Sequence, residues 1–253
     1  MTHLPHAGPI ELKGRRAIIS GGTTGIGRAI AIRLASQGAA VFVCGTNAAH
    51  LADALADIRA VGVGEGMTTD LADPDNVARF FDAGEQAMGG FDIAVINAAI
   101  GAGGLTQISE PDLRHVIALD FTAYLLCAHA AAARMRKGVA LGDIVLMGSM
   151  SAHVLGPSST VYAGIKAGVA GFSEALRREL GPKGIRVALV EPGKTGSDML
   201  KADVPEEEQR AQIARDEMLC AEDIAAGVEF LLTQPSRSVI QQIVIVPRAQ
   251  EGE

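Results

Sequence analysis

Short apolar runs alternate with stretches of helical spacing along most of the chain. Arg16 to Ser20 is an apolar run that ends in a glycine-rich turn, and Ile26, Ala29, Ile30 and Leu34 then repeat at helical spacing through Gln37. Ala40 to Cys44 reads as a second buried strand, followed by a helix over 48–61 with Leu51, Leu55 and Ile58 on one face. A short third strand closes over Met67 to Asp70. Asp73-Pro74 then opens a helix that runs to about Met88, since proline suits the first helical position. The pattern next predicts a strand over 91–96, a long alanine-rich helix over about 111–137, a strand over 144–147, a helix over 160–180 and a strand over 185–190. A looser charged region covers 193–219, and a helix at 221–232 and a strand at 239–246 end the chain. Strands that are continuously apolar, alternating with helices of a dozen residues or more, predict a parallel sheet covered on both faces. The expected fold is therefore α/β: a single-domain, doubly wound, Rossmann-like parallel sheet of about seven strands with helices on both faces. It is expected to span 1–253, with 1–12 as a polar lead-in and 194–219 as a substrate loop or lid.

Composition narrows the picture. The chain has 253 residues, 48% of them apolar and 20% charged, which fits one large globular domain. No uninterrupted apolar run reaches the roughly 18 residues that span a bilayer, and the N-terminus lacks the apolar core of a secretory signal, so no membrane partner is expected. A net charge of −7 and a pI near 5.4 disfavour nucleic acid as a partner. The basic groups Arg15-Arg16, Arg134-Met135-Arg136-Lys137 and Arg177-Arg178 read as solvated faces. Cys44, Cys127 and Cys220 lie far apart in apolar contexts, which predicts buried structural thiols, no metal site and a reducing, cytoplasmic setting.

The turn Ser20-Gly21-Gly22-Thr23-Thr24-Gly25-Ile26-Gly27 joins the first strand to the first helix. Glycines there allow positive φ and close approach of backbone N–H groups to a pyrophosphate, and the helix N-terminus adds partial positive charge. Candidate dinucleotide contacts in the turn are Gly21, Thr23, Thr24, Gly25, Ile26 and Gly27. The second strand ends in Cys44-Gly45-Thr46-Asn47, with no acid to hold a ribose 2′-hydroxyl. NADP is favoured and NAD remains possible, with Thr46 and Asn47 beside the ribose. Asp70 meets the adenine edge or serves as a plain helix-turn acid.

Tyr162 and Lys166 stand four residues apart on one helix face. A phenol is a weak acid near neutrality unless a cation stabilises its phenolate, and Lys166 supplies that cation. Ser149, thirteen residues before Tyr162, is placed to polarise a carbonyl, with Ser151 as its competitor. The set predicts hydride transfer between a nicotinamide and a ketone or secondary alcohol, with Tyr162 as general acid and base.

With these residues in place, the chain resembles the short-chain dehydrogenase/reductase family, compact single-domain type, from about residue 12 to 246. Ser20-Gly21-x3-Gly25-Ile26-Gly27 resembles the family's cofactor turn, Asp70-Leu71 its adenine contact and Asn97-Ala98-Ala99 part of its Asn-Asn-Ala-Gly segment. Ser149, Tyr162 and Lys166 match its catalytic serine, tyrosine and lysine. Lys166 is also implied to hold the nicotinamide ribose. Pro192-Gly193 resembles the loop over the nicotinamide; Thr195 belongs to that loop and Ser197 stands where threonine is common. Asp120 occupies the place of the family's fourth catalytic residue, an asparagine.

Met150, His153, Leu155, Met199, Leu200 and Tyr124 are expected to line a mostly apolar substrate pocket, under a mobile lid over 201–217. His153 either bonds a substrate oxygen or is a solvated loop residue. The small face Ala128, Ala130, Ala131, Ala132 and Ala133 suggests close packing on a partner helix, and the resemblance implies a homodimer or homotetramer. The alternative function is non-catalytic dinucleotide sensing on the same scaffold.

Overall fold

The computed structural model describes residues 10–135, 141–200 and 203–249. Seven strands form one parallel sheet in the order β3-β2-β1-β4-β5-β6-β7. They are β1 (Arg16–Ile19), β2 (Ala40–Gly45), β3 (Val63–Thr68), β4 (Ile93–Ile96), β5 (Gly142–Met147), β6 (Ile185–Pro192) and β7 (Gln242–Ile245). The order reverses between β1 and β4, which opens a crevice beyond the carboxyl ends of those two strands. The helices are α1 (Gly25–Ser36), α2 (Ala48–Val61), α3 (Pro74–Met88), α4 (Glu110–Ile117), α5 (Ala123–Met135), α6 (Thr160–Leu180), α7 (Glu206–Ala214) and α8 (Ala221–Leu232). One apolar cluster joins one sheet face to α3, α5 and α6. A second joins the other face to α1 and α8, so the sheet is covered on both sides as its apolar strands require.

Four features differ from the sequence pattern. β3 runs over Val63–Thr68 rather than 67–70; Gly64, Glu65 and Gly66 interrupt its apolar pattern, and Val63 is 65% exposed at the sheet edge. The long helix is broken by a π-helical turn over Ala118–Thr122, and its predicted end at 136–137 lies outside the described residues. The charged stretch holds a helix, α7, docked by buried Gln209, whose side chain bonds the backbone of Ser197 and Val204; positions 201–202 of the expected lid, like 1–9 of the lead-in, lie outside the described residues. Finally, Ala128, Ala130, Ala131 and Ala132 are buried within this chain, so that face is not available to a partner helix.

Glu110–Met135 is, by length and composition alone, apolar enough to cross a bilayer, with mean hydropathy 1.6 in its most apolar stretch. Half of that stretch is buried inside the protein, as in a core helix. Cys44 and Cys127 are buried as expected, and burial pushes the Cys44 thiol up to about 12. Cys220 is only half-buried and sits at the N-cap of α8, its Sγ 3.1 Å from Asp223.

The amino ends of the strands carry a buried ion-pair cluster. Asp143 accepts from Arg15 at 2.8 Å and from Arg186 at 2.6 Å. Arg186 also donates to the carbonyls of Leu232, Gln234 and Ser238, tying β6 to the end of α8. Arg15 is thus a structural cation and not the solvated residue its sequence context suggests. Arg134 pairs with Asp82 and Glu85, and Arg177 and Arg178 pair with Glu174. Removing one partner of such a buried cluster strands the other charges, at a cost of about 3–5 kcal/mol. Asp143→Ala is therefore expected to lose most of the stability of the fold in urea unfolding. A loss below about 1 kcal/mol would contradict the assignment.

Candidate active site

The glycine turn lies at the crevice. Ser20 Oγ accepts from the backbone N–H groups of Asn97 (2.9 Å) and Ala98 (3.1 Å), and Asn97 Nδ2 donates back to the carbonyls of Ser20 and Gly21. The side chain of Asn97 therefore holds the turn together. A Cβ on Gly21 (φ +64°) would lie 2.7 Å from Ala98 Cα, and one on Gly27 would lie 2.1 Å from the Gly21 carbonyl oxygen. No other residue fits either position. Thr24 is the N-cap of α1, yet its side chain caps nothing and the first turn carries no acid. By contrast Asn47, Asp73 and Ser109 cap α2, α3 and α4 through their side chains. The uncapped N–H groups of α1 thus face the crevice, a donor set that fits the pyrophosphate of a dinucleotide.

The other predicted cofactor contacts ring this turn. Thr46 and Asn47 are exposed beyond β2, and Asn47 Oδ1 is already engaged by the N–H groups of Ala49 and His50. Asp70 Oδ1 accepts from Ala72 N–H at 2.9 Å, a turn-capping contact, and the Leu71 side chain is in the core. Ala98 and Ala99 are half-buried after β4. Pro192 ends β6, Gly193 follows it, and the Thr195 hydroxyl donates back to the Gly193 carbonyl at 3.0 Å. The same loop reaches over the glycine turn, with Ser197 Cβ 3.5 Å from the Cβ position of Gly25. At the end of β2 a Cβ on Gly45 would lie 2.2 Å from Thr23 Oγ1. The space an acid would need at that position is filled by the turn's own threonine.

Ser149 follows β5 directly, and Tyr162 and Lys166 project one turn apart from α6. Ser149 Oγ accepts from Ser151 N–H at 3.1 Å, and the Ser149 hydroxyl acts to lower the Tyr162 phenol. Of the two candidate serines, Ser149 is the one that acts on the phenol electrostatically. The Lys166 ammonium lies 5.4 Å from the centroid of the Tyr162 ring. Its hydrogen bonds go elsewhere, to Tyr124 Oη at 3.2 Å and to the Met147 carbonyl at 3.0 Å. Burial lowers Lys166 to about 8, with Asp120 acting in the opposite sense. Burial first and Asp120 second push the Tyr162 phenol up, only partly offset by Ser149. The expected lowering of the phenol by Lys166 is therefore not present in the protein alone.

Asp120 is fully buried in the π turn. Its Oδ1 accepts from Ile100 N–H at 2.9 Å, and its Oδ2 has no partner. Burial raises its carboxyl to about 6 against the pull of Lys166, the Ile100 N–H and His115.

Tyr124 is not a wall of the substrate pocket. It is 1% exposed beneath the site, and its hydroxyl contacts the carbonyls of Met147 (3.2 Å) and Asn97 (3.3 Å) as well as Lys166. The remaining predicted pocket residues lie around the crevice mouth: Met150 and Leu200 half-buried, Leu155 and Met199 exposed, with Met199 packed toward Gly101. His153 is half exposed, and its Nε2 lies 2.9 Å from Glu191 Oε2. Glu191 is fully buried and is also bonded by Gln242. Sequence reading gave Glu191 no role: it directly follows the apolar run 185–190, and its partners His153 and Gln242 lie far along the chain. A cavity of about 480 Å³ lies between the loop after β4 and α4, lined by Ile100, Gly103, Gln107, Asp112, His115 and Val116 among others. None of the predicted substrate residues lines it.

Comparisons with known proteins agree with this geometry. The family model for short chain dehydrogenase matches residues 15–208. An L-rhamnose 1-dehydrogenase (NADP(+)) from Thermoplasma acidophilum is 32% identical over 239 residues, 91% of this chain and 93% of that protein. A 3-oxoacyl-[acyl-carrier-protein] reductase from Haemophilus influenzae is 31% identical, over 87% of this chain and 91% of its own length. The crystal structure of a short chain dehydrogenase from Burkholderia cenocepacia in complex with NADP superposes with a TM-score of 0.83 at 33% identity, covering 95% of this chain and 99% of that one. The sheet order, the glycine turn and the Ser149-Tyr162-Lys166 set thus stand in a chain that belongs to the short-chain dehydrogenase family of oxidoreductases.

Proposed function

We propose that the protein is an NADP-dependent reductase of ketones, or dehydrogenase of secondary alcohols, with Tyr162 as its general acid and base. The convergence of Ser149, Tyr162 and Lys166 beside an uncapped helix N-terminus carries the reading. Bound NADP supplies or accepts the hydride at its nicotinamide ring. The protein's part is positioning and proton transfer. Ser149 holds the carbonyl oxygen, Tyr162 gives its phenolic proton to the oxygen as it becomes an alkoxide, and the Lys166 ammonium stabilises the phenolate left behind. The similarity to an L-rhamnose 1-dehydrogenase (NADP(+)) and to a 3-oxoacyl-[acyl-carrier-protein] reductase supports the reaction class. The exposed apolar side chains Leu155 and Met199 at the crevice mouth support a partly apolar substrate.

Tyr162→Phe keeps the ring and deletes the proton. Turnover of a working ketone is expected to fall by about 10²–10⁴-fold with NADPH binding retained. Near-full turnover in this variant would refute Tyr162 as the general acid and base.

The absence of an acid at the end of β2 supports NADP, as does the NADP-bound neighbour. Fluorescence titration should show NADPH binding more tightly than NADH; tenfold tighter NADH would refute the preference. Because Thr23 fills the space beside Gly45, an acid is accommodated only in the pair Thr23→Gly with Gly45→Asp. That double variant should turn the preference toward NADH.

Asp120 raises both Tyr162 and Lys166 when ionised. Asp120→Asn removes that charge, so both groups titrate lower. The alcohol-oxidation profile should move to lower pH by about one pH unit. Measuring kcat against pH above 7 for both proteins tests this, and superimposable profiles would contradict it.

A further inference from the structure

We infer that Tyr124 is a positioning residue for Lys166, its buried hydroxyl anchoring the ammonium to the carboxyl ends of β4 and β5 and keeping it charged. The contact geometry stands alone; its consequence for turnover rests on the function proposed above.

An ordinary core aromatic needs only its ring, and a phenylalanine would serve. Tyr124 instead places its hydroxyl 3.2 Å from Lys166 Nζ, 3.2 Å from the Met147 carbonyl and 3.3 Å from the Asn97 carbonyl. A phenol has one proton, and carbonyls only accept. The Tyr124 proton therefore goes to one of the two carbonyls, which leaves the oxygen's lone pairs to accept from Lys166. Lys166 spends a second N–H on the Met147 carbonyl at 3.0 Å. Its ammonium also lies 4.7 Å from the centroid of the Tyr124 ring, with the Tyr162 ring on another side. The two carbonyls belong to the residue just beyond β4, where the cofactor turn is stitched, and to the last residue of β5, which leads to Ser149. One hydroxyl thus spans the two strand ends from which the rest of the site extends.

The electrostatic neighbours of the ammonium are few. Asp120 faces it from the π turn, and Tyr124 and Tyr162 face it from α5 and α6. Cys127 lies near Tyr124, His115 acts on Asp120, and Ser149 acts on Tyr162. Burial disfavours the charge on Lys166, and the two oxygens and two ring faces oppose that penalty. Removing the Tyr124 oxygen leaves the ring face but withdraws one of two hydrogen-bond acceptors.

The test is Tyr124→Phe, read by carbon-13 NMR of the lysine Cε groups in the protein without cofactor. The chain has six lysines, and Lys166→Arg assigns the resonance. The Lys166 midpoint is expected to fall by about one pH unit or more in Tyr124→Phe. The dissociation constant for NADPH should rise about tenfold above the new midpoint. A midpoint unchanged to within about 0.2 pH units, in a variant whose Tm and near-ultraviolet spectrum match the parent, would overturn the proposal. A second measurement needs no substitution at 124. With two tyrosines in the chain, 3-fluorotyrosine gives two fluorine resonances, and that of Tyr124 should follow the Lys166 titration and lose the dependence in Lys166→Met. A Tyr124 resonance indifferent to Lys166 would also overturn the proposal. A protein that turns over no ketone while its Lys166 midpoint shifts as stated would refute the catalytic reading and sustain the anchor.

Discussion

The site depends on a positive charge held where water does not reach. Lys166 is 1% exposed, and an isolated ammonium so placed would shed its proton. What makes the burial tolerable is the shape of a parallel sheet at its switch point. The strands end with their last carbonyls directed out of the sheet, and those of Met147 and, through Tyr124, Asn97 converge beneath the amine. The long α6 then fixes Tyr162 one turn away on the same face, so the geometry of phenol and amine follows from helical periodicity alone. Fold and chemistry are linked through the strand ends rather than through loops.

Asp120 shows how a helix accommodates a charge in that setting. The π turn is closed by the Ala123 N–H bonding the Ala118 carbonyl, and it lies where the long helix passes the loop after β4. Asp120 is turned inward there, and its Oδ1 secures Ile100 of that loop. The structural task of the residue, fastening loop to helix, is met by either oxygen of a carboxyl. The electrical consequence is separate: the same group, with Oδ2 unsatisfied, raises the phenol and opposes the lowering of the amine. A carboxyl held near the middle of the accessible pH range makes the ionisation of this cluster depend on surroundings that the triad alone does not specify.

Element order and sheet type were legible in the sequence because each rests on a local or periodic signal, and the shared helix face of Tyr162 and Lys166 follows from the same periodicity. The helices α2, α3, α6 and α8 begin and end close to where capping residues and apolar spacing place them. The misread positions share a different cause. Tyr124 was assigned to a pocket wall because a single aromatic on an apolar helix has no directional signal; its role appears only once β4, β5 and α6 meet. Arg15 and Glu191 were hidden in the same way, since their partners lie far along the chain, at Asp143 and at His153 and Gln242. The alanine face of α5 was read outward when the sheet lay on that side. Periodicity reveals which residues share a face but not what the face meets.

Among the described residues three acids are buried, Asp143 and Glu191 on strands and Asp120 in the π turn. Asp143, at the amino end, has a guanidinium on each oxygen. Asp120 and Glu191, near the carboxyl end, each keep one buried oxygen without a partner. A buried acceptor left unpaired costs about 1–3 kcal/mol. Asp120 is coupled electrostatically to Lys166, and the other oxygen of Glu191, Oε2, is bonded by His153. An acid paired on both oxygens at the amino end and acids paired on one oxygen toward the carboxyl end give the two ends different electrostatic character.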